Sequence, residues 1–229
     1  MLNELAQSPF VQYLHTPFLL LILVILEAVL SADNAVALAS IAQGLESPQV
    51  QRRALNIGLL GAYVLRMTLI VTATWVQQFW QFELIGALYL LWLVWRYYTA
   101  ADAEGSTSHG FTFASLWQAI PVIALTDLAF SLDSVTTAIA VSDQTWLIVT
   151  GGTLGVIALR FLTELFLRWL REYPRLEEAG YLTVAMVGTR LLMRVMVPGF
   201  NLPEWLMVIV IAAIFTWGFS RKSDIRYQD

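Results

Sequence analysis

Glu27-Ala-Val-Leu-Ser31-Ala-Asp33-Asn34 and, one hundred residues later, Asp127-Leu-Ala-Phe-Ser131-Leu-Asp133-Ser134 are two versions of one pattern. Each reads acid, three residues, Ser, any residue, Asp, then Asn or Ser. Each also lies inside an apolar run close to the roughly 20 residues that a helix needs to cross a bilayer. An ionised Asp at the centre of a membrane helix costs about 2.5–3.5 kcal/mol on insertion scales, and such residues mark ion or proton pathways. Glu27, Asp33, Asp127 and Asp133 incur that cost in two matched copies, which predicts a symmetric polar site at the membrane midplane.

The rest of the composition agrees with a membrane solvent. Of 229 residues 58% are hydrophobic and 13% charged, where a soluble domain is about one-quarter charged. The absence of cysteine excludes disulfides, thiolate metal sites and Cys nucleophiles. The 2 histidines, His15 and His109, fall in polar flanks. No Ser/His/Asp set or metalloprotease helix motif is present, so an enzyme is not expected. Residues 1–16 contain no Lys or Arg, and Ser31 to Asn34 interrupts the first apolar run, so that run reads as a permanent span and not a cleaved signal.

Working outward, seven apolar runs read as transmembrane helices: about 17–42, 54–77, 82–98, 115–141, 145–168, 179–197 and 202–219. The fold class is all-α, one polytopic membrane domain over residues 1–229. The polar segment 99–113 reads as a flexible cytoplasmic linker. Arg52, Arg53, Arg96, Arg168, Arg171, Arg175, Arg221, Lys222 and Arg226 lie in alternate loops and the C-terminal tail. The loops near 78–81, 142–144 and 198–201 carry no Lys or Arg. That bias predicts an external N-terminus and a cytoplasmic C-terminus; a bacterial inner (plasma) membrane is the expected location. Tryptophans at both ends of the runs read as interface anchors.

The duplication extends beyond the acidic motif. Gly58, Gly61, Leu65 and Arg66 match Gly152, Gly155, Leu159 and Arg160 at an offset of 94, and Glu83-x-x-Gly86 matches Glu177-x-x-Gly180 at the same offset. Residues 17–98 therefore read as a three-helix repeat of 115–197, with 202–219 as a seventh helix. Because three is odd, the copies enter the membrane from opposite sides, and transporters with inverted repeats bind their solute where the copies meet. The glycines read as close-packing faces.

In a straight helix Glu27, Ser31 and Asn34 share a face, as do Asp127, Ser131 and Ser134, whereas Asp33 and Asp133 fall about 100° away. Aiming all of them at one point predicts helix breaks near 31–34 and 131–134. The donors are carboxylates, an amide and the Ser31 and Ser131 hydroxyls, an oxygen-only set that suits magnesium, calcium or manganese. Arg66 and Arg160 lie mid-span as supporting counter-charges; with Glu164 and Arg190 counted, the formal charge of the group is −2, fitting one divalent cation or two protons.

On these two motifs the chain resembles the TerC family of integral membrane proteins, within the wider superfamily of LysE-like exporters. The resemblance implies export of Mn²⁺ from the cytoplasm and a link to metal homeostasis or tellurite resistance. It places the metal ligands at Glu27, Asp33, Asn34, Asp127, Asp133 and Ser134, with manganese as the transported ion and no organic cofactor. Burial raises carboxylate pKa values, so protons are expected to compete with the metal and drive antiport. The partners expected are a divalent ion, protons and the bilayer, and no nucleic acid. The alternatives are a carrier for Ca²⁺ or another cationic solute, or a membrane scaffold. A retinal protein is excluded, because the Schiff base needs a lysine within a span and the single lysine is Lys222 in the C-terminal tail.

Overall fold

The computed structural model describes residues 17, 20, 21, 24, 31, 34–76, 78–104, 113–141, 144–197 and 203–222. Among these the fold is entirely helical: α1 over 34–43, α2 Pro48–Val76, α3 Trp80–Glu104, α4 Leu116–Val141, α5 Thr145–Glu172, α6 Arg175–Met196 and α7 Glu204–Gly218. A helix closes its backbone hydrogen bonds within itself, which is what an apolar solvent demands. Three helices are long and apolar enough to cross a bilayer, over Pro48–Ala73, Leu116–Ile139 and Thr145–Glu172, and Trp205–Gly218 is a shorter apolar helix.

The expected spans 82–98 and 179–197 coincide with α3 and α6 but are less apolar. Helix α6 carries Arg175, Glu177, Glu178, Arg190 and Arg194, and α3 carries Glu83, Arg96, Asp102 and Glu104. On α6, Arg190 and Arg194 are used inside the bundle, where both pair with Asp133. Helix α3 also runs past its expected end at 98. Thr-Ala-Ala-Asp-Ala-Glu over 99–104 is Ala-rich, with no Gly or Pro before Gly105, so the helix propagates into the expected linker. Residues 105–112 lie outside the described residues. At the far end of that segment Phe113 is buried, and its N–H donates to Gly44 O at 3.1 Å.

The expected break at 131–134 does not occur: α4 is helical from Leu116 to Val141. Ser131 Oγ donates to Asp127 O at 2.7 Å and Ser134 Oγ to Ser131 O at 3.4 Å, so both hydroxyls are satisfied on their own helix without opening it. In the first copy Ser31 and Asn34 are helical, while Ala32 and Asp33 lie outside the described residues.

Helix α2 packs along α4 and, on another side, along α5; α3 packs along α6, which also receives α7. Glycine sets the closest crossings. A Cβ on Gly58 would stand 2.7 Å from Ile123 Cγ2 of α4, one on Gly86 2.7 Å from Leu132 Cδ1 of α4, and one on Gly180 2.6 Å from Val36 Cγ1 of α1. The matched glycines 86 and 180 thus seat α3 on α4 and α6 on α1. One apolar core joins α1 to α6 through residues such as Leu38, Leu55, Leu90, Phe130, Leu159 and Leu191. A smaller cluster of Leu69, Ile70, Ala73, Val135 and Ile148 closes one end of the α2–α4–α5 junction. Large apolar side chains such as Leu60, Val71, Phe161 and Trp117 face outward, the inverse of a soluble surface.

Candidate functional site

Both described carboxylates of the motif stand on α4, inside the bundle, and each meets guanidinium groups from a different helix. Asp127 is wholly buried, and so is Arg66, which reaches it from the middle of α2. Arg66 Nη2 lies 3.3 Å from Asp127 Oδ1 and 3.4 Å from Oδ2, one nitrogen shared between both oxygens. Ser131 Oγ, donating to the Asp127 carbonyl, also lies 3.4 Å from Oδ2. A carboxylate and a guanidinium this deep persist as ions only as a pair, since either alone would face a desolvation penalty of several kcal/mol.

Six residues further along, about 9 Å at 1.5 Å per residue, Asp133 turns to α6. Arg190 Nη1 lies 2.7 Å from Asp133 Oδ2, and Arg194 Nη1 lies 3.0 Å from Oδ1. The two arginines are four apart on one helical face, so both reach the same carboxylate. The angular offset between Asp127 and Asp133 is thereby accommodated without unwinding α4: α2 supplies the counter-charge for one, α6 for the other. Arg194 has no part in the sequence reading above. Its signal was its place one turn after Arg190, but nothing in the sequence says which face of α6 meets α4.

The remaining predicted residues fall as follows. Ser134 is buried and, with Arg66, Ile70, Ala138, Ile148 and Gly152, lines a cavity of about 10 Å³, room for about one water. Ser31 is fully buried, and its hydroxyl has no hydrogen-bond partner among the described residues. Asn34 is buried at the start of α1. Arg160 turns to other partners: its Nε donates to Asn56 Oδ1 on α2, and its Nη1 lies 3.0 Å from Glu164 Oε2. It therefore does not mirror Arg66, because Glu164 one turn away captures it. Glu27 and Asp33 lie outside the described residues. Among the described residues no three His, Asp or Glu side chains converge as a metal cage; what converges is aspartate with arginine.

Sequence comparison fits this arrangement. Residues 14–224 match the model of the "Integral membrane protein TerC family". The chain is similar to the uncharacterized membrane protein YceF of Bacillus subtilis, 33% identical over 84% of this chain and 77% of that protein. It is also similar to the uncharacterized membrane protein YkoY of the same species, 31% identical over 76% of this chain and 59% of that protein. The UPF0053 inner membrane protein YgdQ of Escherichia coli is 27% identical over 75% of this chain and 78% of its own length. No solved structure matches. A chain helical among its described residues, with two buried aspartates on one apolar helix and matched to one family over nearly its whole length, is accordingly a member of the integral membrane protein TerC family.

Proposed function

We propose that this protein is a carrier, not an enzyme, that exports divalent metal cations, Mn²⁺ above all, across the inner membrane in exchange for protons. The observation that carries the reading is the pair Asp127 and Asp133, buried on one apolar helix, where ionisable groups are costly and mark ion or proton pathways. The inverted repeat seen in the sequence supports it: on that reading Glu27, Asp33 and Asn34 bring the matching half of an oxygen-donor site to the same core that α1 and α4 share. Ser31, buried with a hydroxyl that has no hydrogen-bond partner among the described residues, adds a further oxygen on that side.

The ion pairs shape the mechanism. Counting Arg194 with the residues already considered changes the formal charge of the group from −2 to −1, so a divalent ion brings excess positive charge unless a guanidinium withdraws. Each oxygen of Asp133 already accepts from one arginine and keeps a second lone pair, so a cation that takes Asp133 as ligand meets two guanidinium charges, and their repulsion favours release of one. Arg194 is the one to give way, its side chain being 31% exposed against 17% for Arg190. When the metal leaves, Arg194 re-pairs with the Asp133 carboxylate and restores the charge balance of the empty site.

Purified protein in vesicles with an imposed pH gradient tests the reading by Mn²⁺ flux. Wild type transports metal against the proton gradient, and Asp127→Asn and Asp133→Asn each abolish flux. Normal flux in both variants overturns the site, and flux indifferent to the gradient overturns the antiport. A second reading, a membrane scaffold, is favoured by the same satisfied ion pairs. In that case a doubly neutral Arg66→Gln, Asp127→Asn protein stays functional in cells, whereas a carrier stays folded but inactive.

A further inference from the structure

The seam between α2 and α5 ends in a charge imbalance that the transport reading does not use. Three guanidinium groups converge on a single carboxylate: Arg52 at 3.1 Å and Arg168 at 3.6 Å from Glu164 Oε1, and Arg160 at 3.0 Å from Oε2. Glu164 neutralises one of them, leaving a formal excess of two positive charges, and Arg53 stands exposed beside Arg52. The Arg52 and Arg168 side chains are 56% and 68% exposed, so they remain open to a further anion.

Away from this cluster, the same two helices diverge into an open groove of about 610 Å³ whose lining includes Arg160, Leu60, Tyr63, Thr153, Ile157 and Phe161. Leu60, Ile157 and Phe161 are 64%, 50% and 70% exposed, an apolar surface facing the hydrocarbon. The far end is closed by a hydrogen bond between the Tyr63 and Thr153 hydroxyls at 3.2 Å. From Arg52 to Tyr63 the helix rises about 16 Å, close to half of a hydrocarbon core about 30 Å thick. The slot thus has the length of one leaflet, with cations at its headgroup end and an apolar wall below.

We propose that this seam binds an anionic phospholipid, its phosphate between Arg52 and Arg168 and one acyl chain laid over Leu60, Ile157 and Phe161. Basic pockets between membrane helices on the cytoplasmic side hold anionic headgroups in this manner. The excess of two positive charges selects an anionic lipid over a zwitterionic one, and the depth selects a lipid over a free phosphate. A second protein copy is the competing occupant, but it would have to bury the same arginines against a surface of complementary charge. Among the described residues near these helix ends, Glu172 is already held by Lys222, and Glu46 is one exposed carboxylate against an excess of two positive charges.

Native mass spectrometry of the detergent-solubilised protein, with phosphatidylglycerol or phosphatidylcholine titrated in, reads the site directly. Wild type retains one phosphatidylglycerol under activation that strips phosphatidylcholine. Arg52→Gln with Arg168→Gln weakens that retention about 30-fold, and Val156→Trp, which fills the groove one turn from Arg160 and leaves Arg52 and Arg168 in place, also weakens it. Equal retention of both lipids, or retention unchanged in the double Gln variant, overturns the proposal. In this cysteine-free chain, efficient disulfide cross-linking of Ile157→Cys to a second copy in native membranes overturns it as well, by showing protein where the lipid should lie.

Discussion

Asp127 and Arg66 illustrate how far a single residue's energetics depend on its partner. Either one alone would be an uncompensated charge among apolar helices, and breaking a buried pair from one side costs about 3–5 kcal/mol. Arg66→Gln is therefore expected to lower unfolding stability by about that amount, and adding Asp127→Asn to recover most of it, measured by thermal unfolding in detergent. Equal instability of the single and double variants would show that Arg66 acts by packing. Glu177 makes the opposite case. It precedes the apolar run 179–197 and stands half-buried beside Glu178. Burial, and then the neighbouring carboxylate, push its pKa up to about 8. A folded pKa above the unfolded one means that the folded state holds a proton which the unfolded chain has already released. Stability from this group therefore falls as pH rises between about 4.5 and about 8 and stays low above that. Glu177→Gln should raise the melting temperature at pH 8.5 and leave it unchanged at pH 4.5; a gain independent of pH would show that ionisation is not the cause.

At the scale of the element, closeness of approach decides. Gly180 and Gly86 are matched in the repeat, yet their neighbours differ in kind. An added methyl at Gly86 meets the flexible tip of Leu132, whereas one at Gly180 meets the β-branched Val36, with that residue's backbone carbon 3.6 Å away. Valine in a helix has one strongly preferred rotamer, so it cannot turn aside. Gly180→Ala is expected to cost about 1–3 kcal/mol and Gly86→Ala distinctly less, compared by unfolding under the same conditions. The reverse order would mean that α1 yields more readily than α4. Helix α4 teaches a related point. Ser and Asp in mid-helix were read as a break, but the backbone stays closed because each serine hydroxyl finds a carbonyl one turn back.

For the whole molecule, the absence of cysteine makes topology directly measurable. With an impermeant thiol reagent on intact cells, Gln78→Cys and Gln144→Cys are expected to label and Glu46→Cys and Lys222→Cys to label only after lysis. Labelling of both pairs from one side would sink the alternating arrangement and the inverted repeat with it. What the sequence determined by itself is the element map and the solvent. The expected runs 54–77, 115–141 and 145–168 end no more than six residues from the ends of α2, α4 and α5, because hydrocarbon admits only segments that hide their own backbone. It also marked Asp127 and Asp133 as out of place, since a charge in an apolar run is conspicuous without any partner in view. Only the tertiary structure decided what those charges meet: Arg66 for one, Arg190 with Arg194 for the other. Pairing across helices depends on which faces are turned together and how closely, and that is fixed by side-chain packing between segments some sixty residues apart, about which local spacing carries no information.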